Sequence, residues 1–397
     1  MSEECELFYA YPDSLEGLLQ RGRGLGAVRA KQDPVAATPF VYDSIQRDWT
    51  WDFPDVRAVY LARLVRDLEL PLTPVVEQLS VSEDANARAA DVLVLLAVDG
   101  SDEARDVLRT HVRDGAHWIC VLTSMANRWP DAWWDDLGDV ARTRIRDEPE
   151  LPLRNPVWTR FGIDVRQSEP RPARRDLTGH PDGALYDLLA SARPKDRARV
   201  DALRELRRRD SLGALIPLVP SLVTPDDDSL LPEIRRAVEH LGAAAVPAAR
   251  GWAHDAAPWL ARLGTDVLAD QLQPEAVPFL VADLARLLRT RTWCGPDSSA
   301  RRLARFGPAA SDAVPYLRRF WWRTPHSYER AAYLQALAAI DPTGLEYAYT
   351  ESLWDCEDNA RVLGVAHAPD NATTRARITE LRDDPMETFA VWAAARS

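Results

Sequence analysis

The chain has 397 residues, 46 % apolar and 28 % charged, which excludes a disordered polymer and exceeds what one hydrophobic core organises, so two domains or one elongated array are expected. A net charge of −12 argues against nucleic-acid binding by the surface as a whole, although a local basic strip survives such a balance. The longest clean apolar run, Val92 to Val98, falls short of the ~20 residues of a membrane span, so no membrane partner is expected.

The amino terminus, Met1-Ser2-Glu3-Glu4-Cys5-Glu6, carries acid where a secretory signal carries base, and the expected compartment is the cytoplasm. Cys5, Cys120, Cys294 and Cys356 lie far apart without a Cys-x-x-Cys pair and read as reduced thiols. Residues 1–54 read as an irregular helical cap in which Asp13 or Ser14 is placed to N-cap a short helix ending at Gly22. Gly22-Arg23-Gly24-Leu25-Gly26 invites a phosphate-loop reading. No strand pattern precedes it and no Gly-Lys-Ser/Thr closes it, so a turn between helices is expected.

Residues 55–147 read as a first helical lobe. Val59, Tyr60, Leu64 and Leu68 share one helical face, residues 74–79 supply a second helix, and a further pair turns at Asp99-Gly100-Ser101. More helices are expected near 118–128 and 133–145. Across 148–183 the period breaks: Pro149, Pro152, Pro156, Pro170, Pro172 and Pro181 crowd a linker or long loop. Helices resume from 184 to 397 as a second lobe that ends in a closing cap.

Within that lobe one phrase recurs: Leu215-Ile216-Pro217, Ala245-Val246-Pro247, Ala276-Val277-Pro278 and Ala313-Val314-Pro315. Successive prolines are 30, 31 and 37 residues apart. Each proline heads an apolar run, where its missing N–H costs nothing in the first turn of a helix. Gly213, Gly242 and Gly307 stand just upstream, placed to end the preceding helix. A period of this length marks helix pairs that bury their apolar faces on copies of themselves. Residues 300–317, ARRLARFGPAASDAVPYL, resemble the HEAT repeat family, and residues 232–247, PEIRRAVEHLGAAAVP, are similar to it. The resemblance implies an all-α fold: a right-handed, armadillo-like superhelical α-solenoid of stacked antiparallel helix pairs, serving as a binding scaffold. It implies no particular chemistry.

Tryptophan is abundant, at 14 residues, and clusters at Trp49/Trp51, Trp129/Trp133/Trp134, Trp252/Trp259 and Trp321/Trp322. Neighbours on a helix diverge by about 100°, so one of Trp133/Trp134 and one of Trp321/Trp322 is expected at a packing boundary or the surface. Trp133, Trp134, Trp321, Trp322, Arg323, Arg301 and Arg302 are the candidate binding residues, as anchors of a concave groove; the plain alternative is packing between repeats. Arginines from Arg193 to Arg209, and again from Arg286 through Arg301, Arg302 and Arg305, resemble a phosphate-tracking strip, yet Asp196, Asp201, Glu205 and Asp210 offer the first group i, i+4 partners on a solvated face. His117 and Cys120, at i, i+3, lack a fourth ligand, and the acidic run Asp226-Asp227-Asp228 has no paired base; neither a metal nor a cofactor is expected.

The expected function is therefore a non-catalytic scaffold binding a protein or peptide along its concave face, with a basic partner favoured by the negative charge. A second reading is a DNA-binding enzyme on a HEAT-like scaffold, of the kind that excises alkylated bases. A third, chaperoning of a tetrapyrrole as in HEAT-like bilin lyases, rests on fold resemblance alone.

Overall fold

The computed structural model describes residues 9–47, 49, 57–147, 156–163, 175–191, 197–223 and 230–396. Cys5, Trp51, Arg193, Asp196, Asp226-Asp227-Asp228 and most of the proline-rich stretch 148–183 lie outside them. Every regular element among the described residues is helical, in keeping with the all-α class, and no described helix is long and apolar enough to cross a membrane.

The caps follow side-chain chemistry. Ser14, Ser82 and Ser101 each accept a backbone N–H three residues on, opening the helices Leu15–Gln20, Glu83–Val98 and Asp102–Asp114. Asn371 and Thr374 form a reciprocal capping box at the start of Ala372–Asp383. The recurring phrase is also visible. Gly242 and Gly307 take positive φ, each opens a 3-10 turn (Gly242–Ala245 and Gly307–Ala313), and Pro247 and Pro315 then sit in the first turn of Val246–Trp252 and Val314–Arg323. The first copy differs. Gly213 has no positive φ, and Pro217 falls in a turn ahead of a short helix, Val219–Leu222, which takes Pro220 in its first turn instead.

By contacts the chain forms two compact units that do not follow chain order. The first unit gathers residues 1–168, 287–300 and 315–397; the second gathers 169–286 and 301–314. The stretch 55–147 drawn along the sequence lies whole within the first unit, while 184–397 is divided between the two, because residues 287–300 and 315–397 group with the amino-terminal segment. In the first unit, Glu83–Val98 is the central helix, packed by Ala58–Asp67, Asp102–Asp114 and Trp118–Arg128. Its core runs from Leu19 to Phe161 and takes in Cys356 and Met386 from the far end of the chain. In the second unit, Asp182–Ser191, Arg197–Arg208 and Leu231–Leu241 pack in succession, and Val246–Trp252 lies against Pro258–Asp270.

Candidate functional site

The Gly-Arg-Gly stretch is a docking plug. Between the helices Leu15–Gln20 and Gly24–Gln32 the chain runs so close to residues 351–356 that a Cβ at Gly24 would lie 1.9 Å from the Glu351 carbonyl oxygen. One at Gly22, whose φ is +63°, would lie 2.3 Å from Cys356 Sγ. Only glycine fits either place. Arg23 between them is wholly buried and forms a two-pronged pair with Glu351, Nε to Oε1 at 2.7 Å and a terminal nitrogen to Oε2 at 2.8 Å. It also donates to the Trp322 carbonyl at 2.8 Å. Arg330, equally buried, pairs with Asp355 and donates to the Arg21 carbonyl at 3.0 Å. Beyond it, Arg361 and Arg63 share Glu387. Burial pushes the Glu387 carboxyl up, but Arg361 and Arg63 outweigh it and draw the group down to about 2.

This plug occupies one pair of the expected anchors. The Arg23 guanidinium lies 4.3 Å from the Trp321 ring centroid and 4.8 Å from that of Trp322. Trp321 is buried and Trp322 half-buried, the split that a 100° divergence requires; Arg323 is exposed, with its carbonyl taken by Arg21. The other pair divides likewise. Trp134 is buried edge-on to Phe161 with Arg160 over it, while Trp133 is half-buried against Trp129 under Arg105. The two pairs have different neighbours and do not meet. In the second unit Arg301 is exposed, and Arg302 is held by Asp270 at 3.0 Å and Asp266 at 3.3 Å.

His117 and Cys120 do not form a couple. His117 is exposed and left-handed at the start of Trp118–Arg128, and Cys120 turns to Glu83, 3.7 Å away. Burial, with Glu83 beside it, pushes the Cys120 thiol up to about 11, so it stays protonated. Among the described residues no group of three His, Cys, Asp or Glu side chains is placed to hold a metal.

The arginine-dense stretch makes a cleft of about 480 Å³. Arg197–Arg208 buries Ala198, Ala202 and Leu206, one helical face, and so turns Arg204, Arg207 and Arg208 away from the core. Leu231–Leu241 buries Ile234, Ala237 and Val238 and brings Glu233 and Arg236 alongside; Arg175 and Asp176 close the rim. Glu233 is buried on the floor, where it accepts Arg204 at 2.7 Å, Arg236 at 2.7 Å and Arg207 at 3.5 Å. Asp201, also buried, takes the Arg175 backbone N–H. Glu205 is drawn down to about 2 by hydrogen bonds from Arg208 and Arg209. The cleft thus sets five guanidinium groups against four carboxylates, with Glu233 and Asp201 at its base, Asp176 on the rim and arginines toward solvent: the Arg208 and Arg236 side chains are 61 % and 56 % exposed. Each guanidinium carries five N–H donors in a planar fork, more than these carboxylates use.

The sequence shows the arginines of this cleft but not Glu233, which comes from the next helix pair, 29 residues beyond Arg204. No family model, no curated protein and no solved structure matches the chain.

Proposed function

We propose that the chain is a non-catalytic helical-repeat module that holds a polypeptide partner, and that the partner docks an acidic segment into the arginine-rimmed cleft. The recurring unit of glycine, 3-10 turn and proline-headed helix supports a HEAT-like array, with helix pairs stacked in line as a right-handed superhelix. One observation carries the choice of partner: Glu233 on the cleft floor already satisfies the inner prongs of Arg207 and Arg236, leaving their outer donors toward solvent, while Arg204 is held between Glu233 and Asp201. Carboxylates on an incoming segment extend that lattice, whereas lysines meet the guanidinium rim first. Whole-chain charge favours a basic partner, but local charge at a cleft governs docking once groups approach within a Debye length, about 8 Å at physiological salt.

The duplex-binding alternative has less support, since Arg302, one of its candidate phosphate contacts, is committed to Asp266 and Asp270. The test is fluorescence anisotropy with a labelled glutamate-rich peptide and a lysine-rich control of equal length. Glutamate-rich binding that weakens at least tenfold in an Arg207→Ala/Arg236→Ala variant is the expected result. Retention of the lysine-rich peptide alone, or binding indifferent to both substitutions, refutes the assignment.

A further inference from the structure

Cys294 and His326 are 32 residues apart, and each stands in the turn that leads into the first helix of a pair: Pro296–Ala304 for Cys294, Arg330–Ile340 for His326. The repeat sets the two turns side by side. Cys294 is exposed, and its Sγ lies 3.6 Å from His326 Nε2, while the imidazole itself is fully buried. The sulfur is therefore reachable from solvent and its base is shielded from it. Next in the chain, Gly295 has φ +101°, and a Cβ built there meets nothing within 4 Å, so the turn carrying the thiol borders open space.

Beneath the pair lies Glu329, also fully buried. Thr324 and Tyr333 both donate to its Oε2, at 2.8 and 2.7 Å, and Oε1 has no hydrogen-bond partner among the described residues. Burial pushes this carboxyl up to about 8, with Asp297 adding to the rise, while the nearby Gly295 amide opposes it without closing a bond to Oε1. Oε1 is thus a buried, unpartnered polar atom near the cysteine turn. A neutral Glu329 also matters for the pair. An ionised carboxylate there would repel a thiolate and compete with it for the imidazolium. The other groups around the cluster are Asp297 on the cysteine side and Tyr328, whose ring lies 5.3 Å from that of His326.

We propose that Cys294, with His326 as its base, is a modification site: a thiolate that a small hydroperoxide oxidises to sulfenic acid. The thiol proton passes to His326 Nε2. The thiolate attacks one peroxide oxygen, the S–O bond forms as the O–O bond breaks, and the departing oxygen takes the proton back from the imidazolium. Sulfur is oxidised by two electrons and the hydroperoxide is reduced to water or an alcohol.

The test treats the purified full-length chain with one equivalent of hydrogen peroxide, traps sulfenic acid with dimedone and locates the adduct by mass spectrometry. Cys294 is expected to carry most of the adduct, and His326→Gln to reduce it about threefold, the net of a smaller thiolate fraction and a higher intrinsic nucleophilicity. If that variant misfolds, the wild-type chain still decides: at pH 7 iodoacetamide should alkylate Cys294 faster in the folded chain than in the urea-unfolded one. Slower alkylation in the folded state, or an adduct chiefly on Cys120 or Cys356, overturns the proposal.

Discussion

Removing the Arg23 side chain tests whether the plug ties the two ends of the first unit together. Arg23→Ala leaves Glu351 buried without a counter-charge, its Oε1 keeping only the long Leu25 N–H bond at 3.4 Å, deletes a donor to the Trp322 carbonyl, and uncovers the rings of Trp321 and Trp322. Breaking a buried pair by taking one partner costs about 3–5 kcal/mol, so a loss of about 4 kcal/mol is expected, close to a thousandfold in the folding constant. Urea titration followed by tryptophan fluorescence measures it. Hydrogen exchange should show faster opening of Gly24–Gln32 than of Glu83–Val98, because the damage is at the plug. The double variant Arg23→Met/Glu351→Met should recover most of the loss, since apolar replacement of a whole buried pair is close to neutral. A cost below about 1 kcal/mol for Arg23→Ala, or equal costs for the single and double variants, refutes the reasoning.

Two carboxyls of the same unit should respond to pH with opposite signs. Glu387 is held at about 2 against an ordinary value of 4.5, so its stabilisation is present above pH 4.5 and lost as pH falls toward 2. Glu387→Gln should therefore destabilise the chain by about 3 kcal/mol at pH 7 and have little effect in the acid limit, read from thermal melts across that range. Glu329 is raised to about 8, so between pH 4.5 and 8 the folded chain binds the extra proton and stability falls as pH rises. Glu329→Gln should raise the melting temperature at pH 7, by up to about 3 kcal/mol of stability, with no gain at pH 4; a gain that does not grow with pH counts against the assignment.

The helices were legible because their signals are local. A serine three residues before an N–H, a proline heading an apolar run and a glycine before a turn each act within a few residues, and Ser14, Pro315 and Gly307 sit where those rules place them. Pro217 shows their limit: a second proline, Pro220, competes for the first helical turn and takes it. The Gly-Arg-Gly stretch was legible as a turn between helices, but its partners, Glu351 and Cys356, are more than 300 residues away. Nothing near Arg23 announces them. The Trp321/Trp322 split followed from helical geometry; Trp133 ends a 3-10 turn and Trp134 is non-helical, so that pair divides by local backbone shape instead, and that Arg23 covers Trp321 and Trp322 was not legible at all.

The spacing of the polar contacts shows why sequence proximity misleads in this chain. The arginine stretch near 204 invited i, i+4 partners, and Glu205 does take Arg209 that way. Other pairings instead join residues of different helices far along the chain: Arg204 with Glu233 at 29 residues, Arg302 with Asp270 at 32, Arg330 with Asp355 at 25. Packing of successive helices sets these residues next to each other, so a residue's electrostatic environment is written some 25 to 32 positions away rather than one turn away. A run of arginines is then no measure of free positive charge until the acids of the adjoining helices are counted. The same offset brings Cys294 to His326, a couple that no local spacing rule detects, while His117 and Cys120, placed one turn apart, point elsewhere. In this chain, chemistry is to be sought between turns well separated in sequence, where a thiol in one turn and an imidazole 32 residues on become neighbours without sharing a motif.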